Sequence, residues 1–532
     1  MRRVQGALVR VAGCAVVCAV LALGCSSSDD GANDSGGGVI IPGTPGADMM
    51  PGTPGSQMPP PNTADPGMTG NTGEAGMGMV TPPAGDGDGM VTPPAGDGDS
   101  TTPPTSTSGV WASMGFDERN WYFNPNETTL TTANAGSLVQ KWSFTIAGFP
   151  PGTPVVAEGM VFVMATGGTY AIDLESGTEV WSNTNLRGSA SLAYEPGFIY
   201  AHDEAAQLWK LNAADGSTVW GPVKADAQTG CDGTSSPILG GGLVVVGHSC
   251  GVREIGQGGG AAGARGGVEA HSTTDGSKVW TYWTVETGED GAMVWSSVGI
   301  DVAGGTVFAT TGNNYTMGGA NSDAIHALDL NAGTLKWKTQ VRTGDTWSIP
   351  VAIAGPDTDF GANPIVLDGA VAAGDKGSAF WSLDKDSGSI LWSREGLSAA
   401  RDQAHGGILM NGAYDGTNFY AIVNDTSNRS AILYAMNGSS GADVFAPKPY
   451  AGKFAWAAPS LANGVLVVPI DDDLHILDAA TGSELNSFNT GGTIAAGSAA
   501  IVDGNVIVQS GLMYPLDATT KPNNQIICYG LP

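Results

Sequence analysis

Six cysteines, six histidines and 51 carboxylates hold much of the reactive chemistry available to this chain of 532 residues. Cys14 and Cys18 sit inside an apolar run near the N-terminus and Cys25 closes it, while Cys231, Cys250 and Cys528 belong to the body. Cys231 and Cys250 flank one hairpin-like stretch, residues 237–247, so in an oxidising compartment they are expected to pair as a disulfide. Cys528 is then left unpaired and is expected to be buried near the C-terminal strand. No Cys-x-x-Cys-His string occurs, which excludes a covalent c-type haem. His248 and His405 are expected to be structural or surface residues, and Asp471-Asp472-Asp473 reads as a solvated turn.

Whatever positions these groups is rich in turns and poor in charge. The chain holds 81 glycines and 31 prolines, and only 14% of it is Asp, Glu, Lys or Arg, against about a quarter in an average globular protein. The net charge of -29 repels polyphosphates and anionic headgroups, so general nucleic-acid binding is excluded. No apolar run of spanning length follows residue 30.

The first residues read as an address. Arg2, Arg3 and Arg10 precede the apolar run Val11 to Leu23, and Leu21-Ala22-Leu23-Gly24-Cys25 leads into Ser26-Ser27-Ser28-Asp29-Asp30. That pattern is a secretory signal, and its end resembles the bacterial lipoprotein cleavage box, although Ala22 replaces the commoner leucine. Residues 1–24 are thus expected to be a signal peptide and Cys25 the lipidated anchor; an ordinary signal peptide is the alternative. Either way the body is expected to work in the cell envelope, on the periplasmic side or at the outer surface. Residues 25–110 are expected to be a disordered tether. From 26 to 110 the segment carries ten acidic and no basic side chains, repeats Pro-Gly-Thr, and copies the unit Gly78 to Asp88 unchanged at Gly89 to Asp99, a composition that cannot bury a core. As a flexible coil it would span roughly 50 Å. Setting aside leader and tether, 41 acidic and 19 basic residues remain, so the body itself is acidic.

From residue 111 onward a strand-turn-strand unit repeats. Clear copies are Tyr170-Ala171-Ile172-Asp173-Leu174-Glu175-Ser176-Gly177-Thr178-Glu179-Val180-Trp181 and His326 to Trp337, with others ending at Trp220, Trp280 and Trp392 and degenerate ones at Phe445 and Asn486. In the clear copies an Asp with a Gly four residues later suits a tight hairpin whose glycine takes positive φ. The turn glycines at 177, 216, 276, 333, 388, 441 and 482 are 39 to 60 residues apart, one four-stranded propeller blade plus loops. Seven turns are visible, Leu138 to Phe144 looks like an outer strand without a partner, and Gln525 to Tyr529 lacks an outer strand. Pairing the two closes an eight-bladed, all-β propeller of four-stranded antiparallel blades over 111–532; seven blades with irregular ends is the alternative.

The unit Ala-x-Asp-x-x-Ser/Thr-Gly-x-x-x-Trp resembles the repeat of pyrroloquinoline quinone (PQQ) propellers. Asn124-Pro125-Asn126-Glu127-Thr128, Arg265-Gly266, Val294-Trp295-Ser296-Ser297, Thr311-Gly312-Asn313-Asn314-Tyr315 and Gly355-Pro356-Asp357-Thr358-Asp359-Phe360-Gly361 bring the resemblance closest to the PQQ-dependent polyvinyl alcohol dehydrogenase group. The resemblance implies PQQ and Ca²⁺ as cofactors, an alcohol as substrate and a separate electron acceptor. A PQQ site needs a flat face, cations and a base, and a hard cation takes oxygen ligands. By resemblance Trp295 stacks the quinone, Asn313 and Glu254 bind it and ligate the metal, and Lys376 lies near the quinone oxygens. The general base does not carry over: Ser348 follows Trp347 where methanol dehydrogenase-like branches place an aspartate, and Asp345, two residues before Trp347, is the candidate substitute. Nor is the family's adjacent cysteine pair reproduced.

Two functions are therefore expected to compete. One is a lipid-anchored, extracytoplasmic PQQ-dependent alcohol dehydrogenase acting on a small or polymeric alcohol. The other is a propeller lipoprotein without catalysis that serves as a protein-interaction or envelope-assembly scaffold.

Overall fold

The burial of each strand follows from its place in its blade. Second strands such as Met160–Ala165 and Val465–Ile470 are almost entirely apolar and buried, because both their faces meet neighbouring blades. Outer strands such as Glu179–Asn183 bury one side chain in five, because they meet solvent. The computed structural model describes residues 109–149, 152–226, 228, 230–250, 263–315, 319–345, 357–399, 405–511 and 519–532. The expected signal, anchor and tether, together with Glu254, Trp347 and Ser348, lie outside these residues.

Eight antiparallel blades of four strands make the propeller, one of them extended by a short fifth strand, Phe123–Asn124, that pairs parallel with Ser460–Ala462. Seven are continuous in sequence, over residues 155–183, 193–224, 238–283, 299–340, 365–394, 413–451 and 460–489. The eighth is composite: Val139–Thr145 pairs antiparallel with Gln525–Gly530, with Trp142 opposite Cys528. The ring is therefore closed by its first strand, and eight blades replace the seven-bladed alternative. Cys528 is a buried free thiol in this closure strand.

The repeated residues prove to be the contacts between blades. All seven turn glycines have φ between +65° and +73°, the region that glycine occupies without a Cβ penalty. A Cβ on Gly333 would stand 2.5 Å from the ring of Trp280, the repeat tryptophan of the preceding blade. The Trp280 indole also donates to Leu330 O at 2.8 Å. Trp142, Trp181, Trp220, Trp337 and Trp392 make the same donation into the next blade's turn. Each clear repeat thus supplies a glycine seat for the previous indole and an indole for the next glycine, and Phe445 takes the indole's place above Gly482.

The segment from Trp111 to Asn124 visits all eight blades in order. Trp111 exchanges two backbone hydrogen bonds with Val156, Ala112 O accepts from Tyr194 N, and the Met114 sulfur takes the Ser236 hydroxyl beside the third blade. Glu118 O, Arg119 O, Trp121 O and Tyr122 O then accept from Ile300, Val366, Tyr414 and Leu461, and Asn124 donates its amide to Ile501 O at 2.8 Å. Phe116, Asn120 and Tyr122 hold positive φ along this path, a strained conformation that the bonds to successive blades over-determine. This belt crosses the propeller beside the inner strands.

Candidate functional site

Loops next to the blade strands carry the candidate residues, and the Trp295 loop itself reaches the belt, Ser297 donating to the Met114 sulfur. Trp295 precedes the inner strand Gly299–Asp301, whose Ile300 bonds the belt. Its loop is strung between two blades: Val294 N donates to His248 O, Gly312 N to Met293 O, and Ala292 N to Asn313 O. A Cβ on Gly266 would lie 1.9 Å from Ala292 O, and one on Gly361 2.7 Å from the Trp295 ring. Those glycines stand in two of the strings that carry the family resemblance, and their function here is to let the Trp295 loop seat.

Two expected residues approach each other directly. The Lys376 Nζ stands 5.4 Å from the Trp295 ring centroid, a Cβ on Gly312 would lie 3.0 Å from Asp359 Oδ2 and 3.2 Å from Trp295 Nε1, and Asn313 is tied to the Trp295 loop through its backbone carbonyl. Lys376 is buried and gripped by two carboxylates, 2.7 Å from Asp359 Oδ1 and 3.1 Å from Asp357 Oδ1. Burial alone would strip its proton, but Asp357 and Asp359 outweigh that and hold the ammonium above the ordinary lysine range. Trp295 Nε1 donates to the other Asp359 oxygen at 3.3 Å. Asp345 is fully buried. Its Oδ2 accepts from the Thr358 N at 2.5 Å and the Thr358 hydroxyl at 3.1 Å, which ties down the loop bearing Asp357 and Asp359.

Asp323, Asp357 and Asp359 had no role in the sequence reading. Asp357 and Asp359 stand in a string noted only for its resemblance, and nothing in the spacing around Asp323 marks it. Both Asp323 oxygens are buried without a hydrogen-bond partner. Burial first, then the charges of Asp345 and Asp359, push its carboxyl up to about 9, so it is protonated at neutral pH. Burial likewise drives Asp357 well above the carboxylate range despite Lys376, with Asp359 and Asp345 adding to the effect. Two of these carboxyls, Asp357 and Asp359, touch the one ammonium. Lys376 therefore does not by itself make the site positive.

Cys231 and Cys250 are joined in a disulfide, which packs with Met293 and Tyr315 in the cluster that Trp295 covers. Asp471 and Asp472 are not a solvated turn: both are buried, Asp471 accepting from Trp456 Nε1 and Asp472 held by Lys453, Lys521 and Asn489. His405 stacks edge-on against Trp456 at 5.4 Å, beside a buried apolar group of Phe149, Leu409 and Phe454.

The family model described as "Outer membrane protein assembly factor BamB" matches residues 127–287 and 264–444, more than half of the chain. The chain belongs to this PQQ_2 family. A polyvinylalcohol dehydrogenase of Pseudomonas sp. is 26% identical over 76% of this chain and 74% of its own length. A quinohemoprotein alcohol dehydrogenase of Comamonas testosteroni is 24% identical over 62% of this chain and 54% of its own. An outer membrane protein assembly factor BamB of Moranella endobia is 23% identical over 63% and 84%. Of solved structures, the Comamonas quinohemoprotein alcohol dehydrogenase superposes with a TM-score of 0.64 at 18% identity, covering 80% of this chain and 81% of that one. A europium-containing methanol dehydrogenase gives 0.65 at 17% identity, covering 80% and 98%. These superpositions establish the propeller.

The residues present fit a planar, polyanionic quinone only together with a hard cation. Trp295 offers a half-buried ring with glycines at its edge, and Lys376 stands beside it. Because Asp357 and Asp359 already pair with Lys376, a polyanion would need a divalent cation beside it.

Proposed function

We propose that this protein is a PQQ- and Ca²⁺-dependent alcohol dehydrogenase, lipid-anchored through Cys25 in the cell envelope and acting on an alcohol of the polyvinyl alcohol type. The observation that carries this reading is the approach of Lys376 to the face of Trp295, whose loop bonds the backbone of Asn313. The quinone, when bound, supplies the hydride acceptor and Ca²⁺ the Lewis acid. Trp295 would stack against the ring. Asn313 would contribute a neutral oxygen to the metal, and Glu254 a charged one. Lys376, kept charged by Asp357 and Asp359, would donate toward the quinone oxygens. The Asp345 carboxylate takes the alcohol proton, and Thr358 holds it in place for that transfer. Electrons leave to a separate acceptor.

Purified protein titrated with PQQ and Ca²⁺ tests the reading by quinone absorbance and by dye reduction with primary and secondary alcohols. Saturable quinone binding lost in Trp295→Ala is expected; no binding in the parent protein refutes it. The scaffold reading is supported by the BamB relative and by a lysine already neutralised by two carboxylates. A stable protein partner retained by Trp295→Ala and Asn313→Ala would favour it.

A further inference from the structure

Behind Trp295, on the third blade, lies a set of groups that the proposed dehydrogenase chemistry does not use. We propose that Asp226, Cys231 and Cys250 form a three-ligand site for a thiophilic divalent cation of the zinc class, opened when the disulfide between the two cysteines is reduced.

One carboxylate oxygen and the two sulfurs all lie within 4.8 Å of one another, and all three residues are buried. Asp226 Oδ2 stands 3.8 Å from the Cys250 sulfur. A disulfide sulfur carries no hydrogen, so in the oxidised protein this buried anion gains no hydrogen bond from it. A cystine that only braces a loop needs no such neighbour. Thiolate, thiolate and carboxylate are a usual donor set for zinc, with Zn–S near 2.3 Å and Zn–O near 2.0–2.2 Å. Two thiolates around a tetrahedral ion then stand about 3.8 Å apart, which rotation of the two side chains can supply without moving the backbone far.

His248 makes the second, independent observation. It is 1% exposed, and neither ring nitrogen has a hydrogen-bond partner. Nδ1 lies 3.7 Å from Asp226 Oδ2 and Nε2 lies 3.6 Å from Glu269 Oε2. An imidazole behind a ligating carboxylate is how metal sites orient that ligand. Gln228 completes the support, its amide nitrogen 3.3 Å from Asp226 Oδ2 and 3.7 Å from the Cys250 sulfur.

A dithiol opens the site: its thiolate attacks one sulfur, its second thiol resolves the mixed disulfide, and the dithiol ends as a disulfide while Cys231 and Cys250 become thiols. Cation uptake then releases the two thiol protons to solvent as the sulfurs bind as thiolates. Because the same sulfurs pack under Trp295, the loaded and oxidised forms present different walls to that residue.

The test uses the full chain, reduced with dithiothreitol and titrated with Co²⁺. One equivalent should bind with a thiolate-to-cobalt absorption band and the visible bands of a tetrahedral ion, and Zn²⁺ should displace it. The oxidised protein should show neither. Cys231→Ser should abolish the band, Cys528→Ser should leave it, and Asp226→Asn should weaken binding about tenfold or more. The proposal fails if thiol titration shows both cysteines reduced and no thiolate band appears, or if the band survives Cys231→Ser. Should Cys231→Ser not fold, the reduced parent decides alone: Zn²⁺ must raise its melting temperature reversibly with a chelator. No arm uses a quinone, so this outcome and that of the dehydrogenase reading are independent.

Discussion

If the repeat residues exist to clamp blades together, an indole and the glycine beneath it on the next blade must be energetically coupled. Trp280 and Gly333 are the sharpest pair. Gly333→Ala places a methyl 2.5 Å from two ring carbons of a nearly buried indole at a backbone φ of +65°. The left-handed conformation costs about 1–2 kcal/mol and the overpacking about 1–3 kcal/mol. Trp280→Ala empties the seat and orphans the Leu330 carbonyl, for about 3–5 kcal/mol. In the double variant the overpacking disappears while the conformational cost stays, so its loss should fall short of the sum by about 1–3 kcal/mol. Urea unfolding followed by circular dichroism at constant m-value measures the cycle. Pairing Gly333→Ala with Trp392→Ala, which belongs to another clamp, supplies the additive control. Additivity within about 0.5 kcal/mol at Trp280 and Gly333 would refute the clamp.

Lys376→Met leaves the Asp357 and Asp359 carboxyls without their ammonium and should cost about 3–5 kcal/mol in urea unfolding near neutral pH; a loss below about 1 kcal/mol would contradict the pairing. Asp323 holds its proton to about pH 9 in the folded protein, whereas the unfolded chain loses it near pH 4. The folded state thus binds the extra proton across that window, and its contribution to stability falls as pH rises. Asp323→Asn should therefore melt higher than the parent at pH 8 and draw level near pH 4, and parallel melting curves against pH would count against a buried neutral carboxyl.

The propeller was legible because its contacts are local in sequence. An Asp, a Gly and a Trp within twelve residues specify a turn, a seat and a clamp, and the seven copies expose the period. Closure was legible from what was missing, since Val139–Thr145 and Gln525–Gly530 each lacked a partner. The belt was not, because its bonds are backbone donations from strands up to hundreds of residues away and leave no pattern in side-chain type. At the site, Trp295, Asn313 and Lys376 came from strings with a family resemblance, and Lys376 proved less free than expected. Its two carboxylates were hidden because Asp357 and Asp359 look like loop residues until the fold brings them to the ammonium. Asp471 and Asp472 misled for the converse reason: a run of three aspartates reads as solvated, yet Trp456, Lys453 and Lys521 reach them from elsewhere in the chain.

The belt imposes an order on biosynthesis. The belt leaves the ribosome before any blade exists, yet Leu461 and Ile501, the partners of Tyr122 and Asn124, are made some three hundred and forty to three hundred and eighty residues later. The strand that closes the ring waits longer still, for Gln525–Gly530. The far end of the belt, although among the first residues of the folded body to be synthesised, is thus among the last to dock, and until then Trp121 and Tyr122 lack the blades that bond them. Such delayed pairing slows folding and exposes sticky chain. A nascent chain stalled before its final strand should accordingly be protease-sensitive at its beginning, far from the place where synthesis stopped.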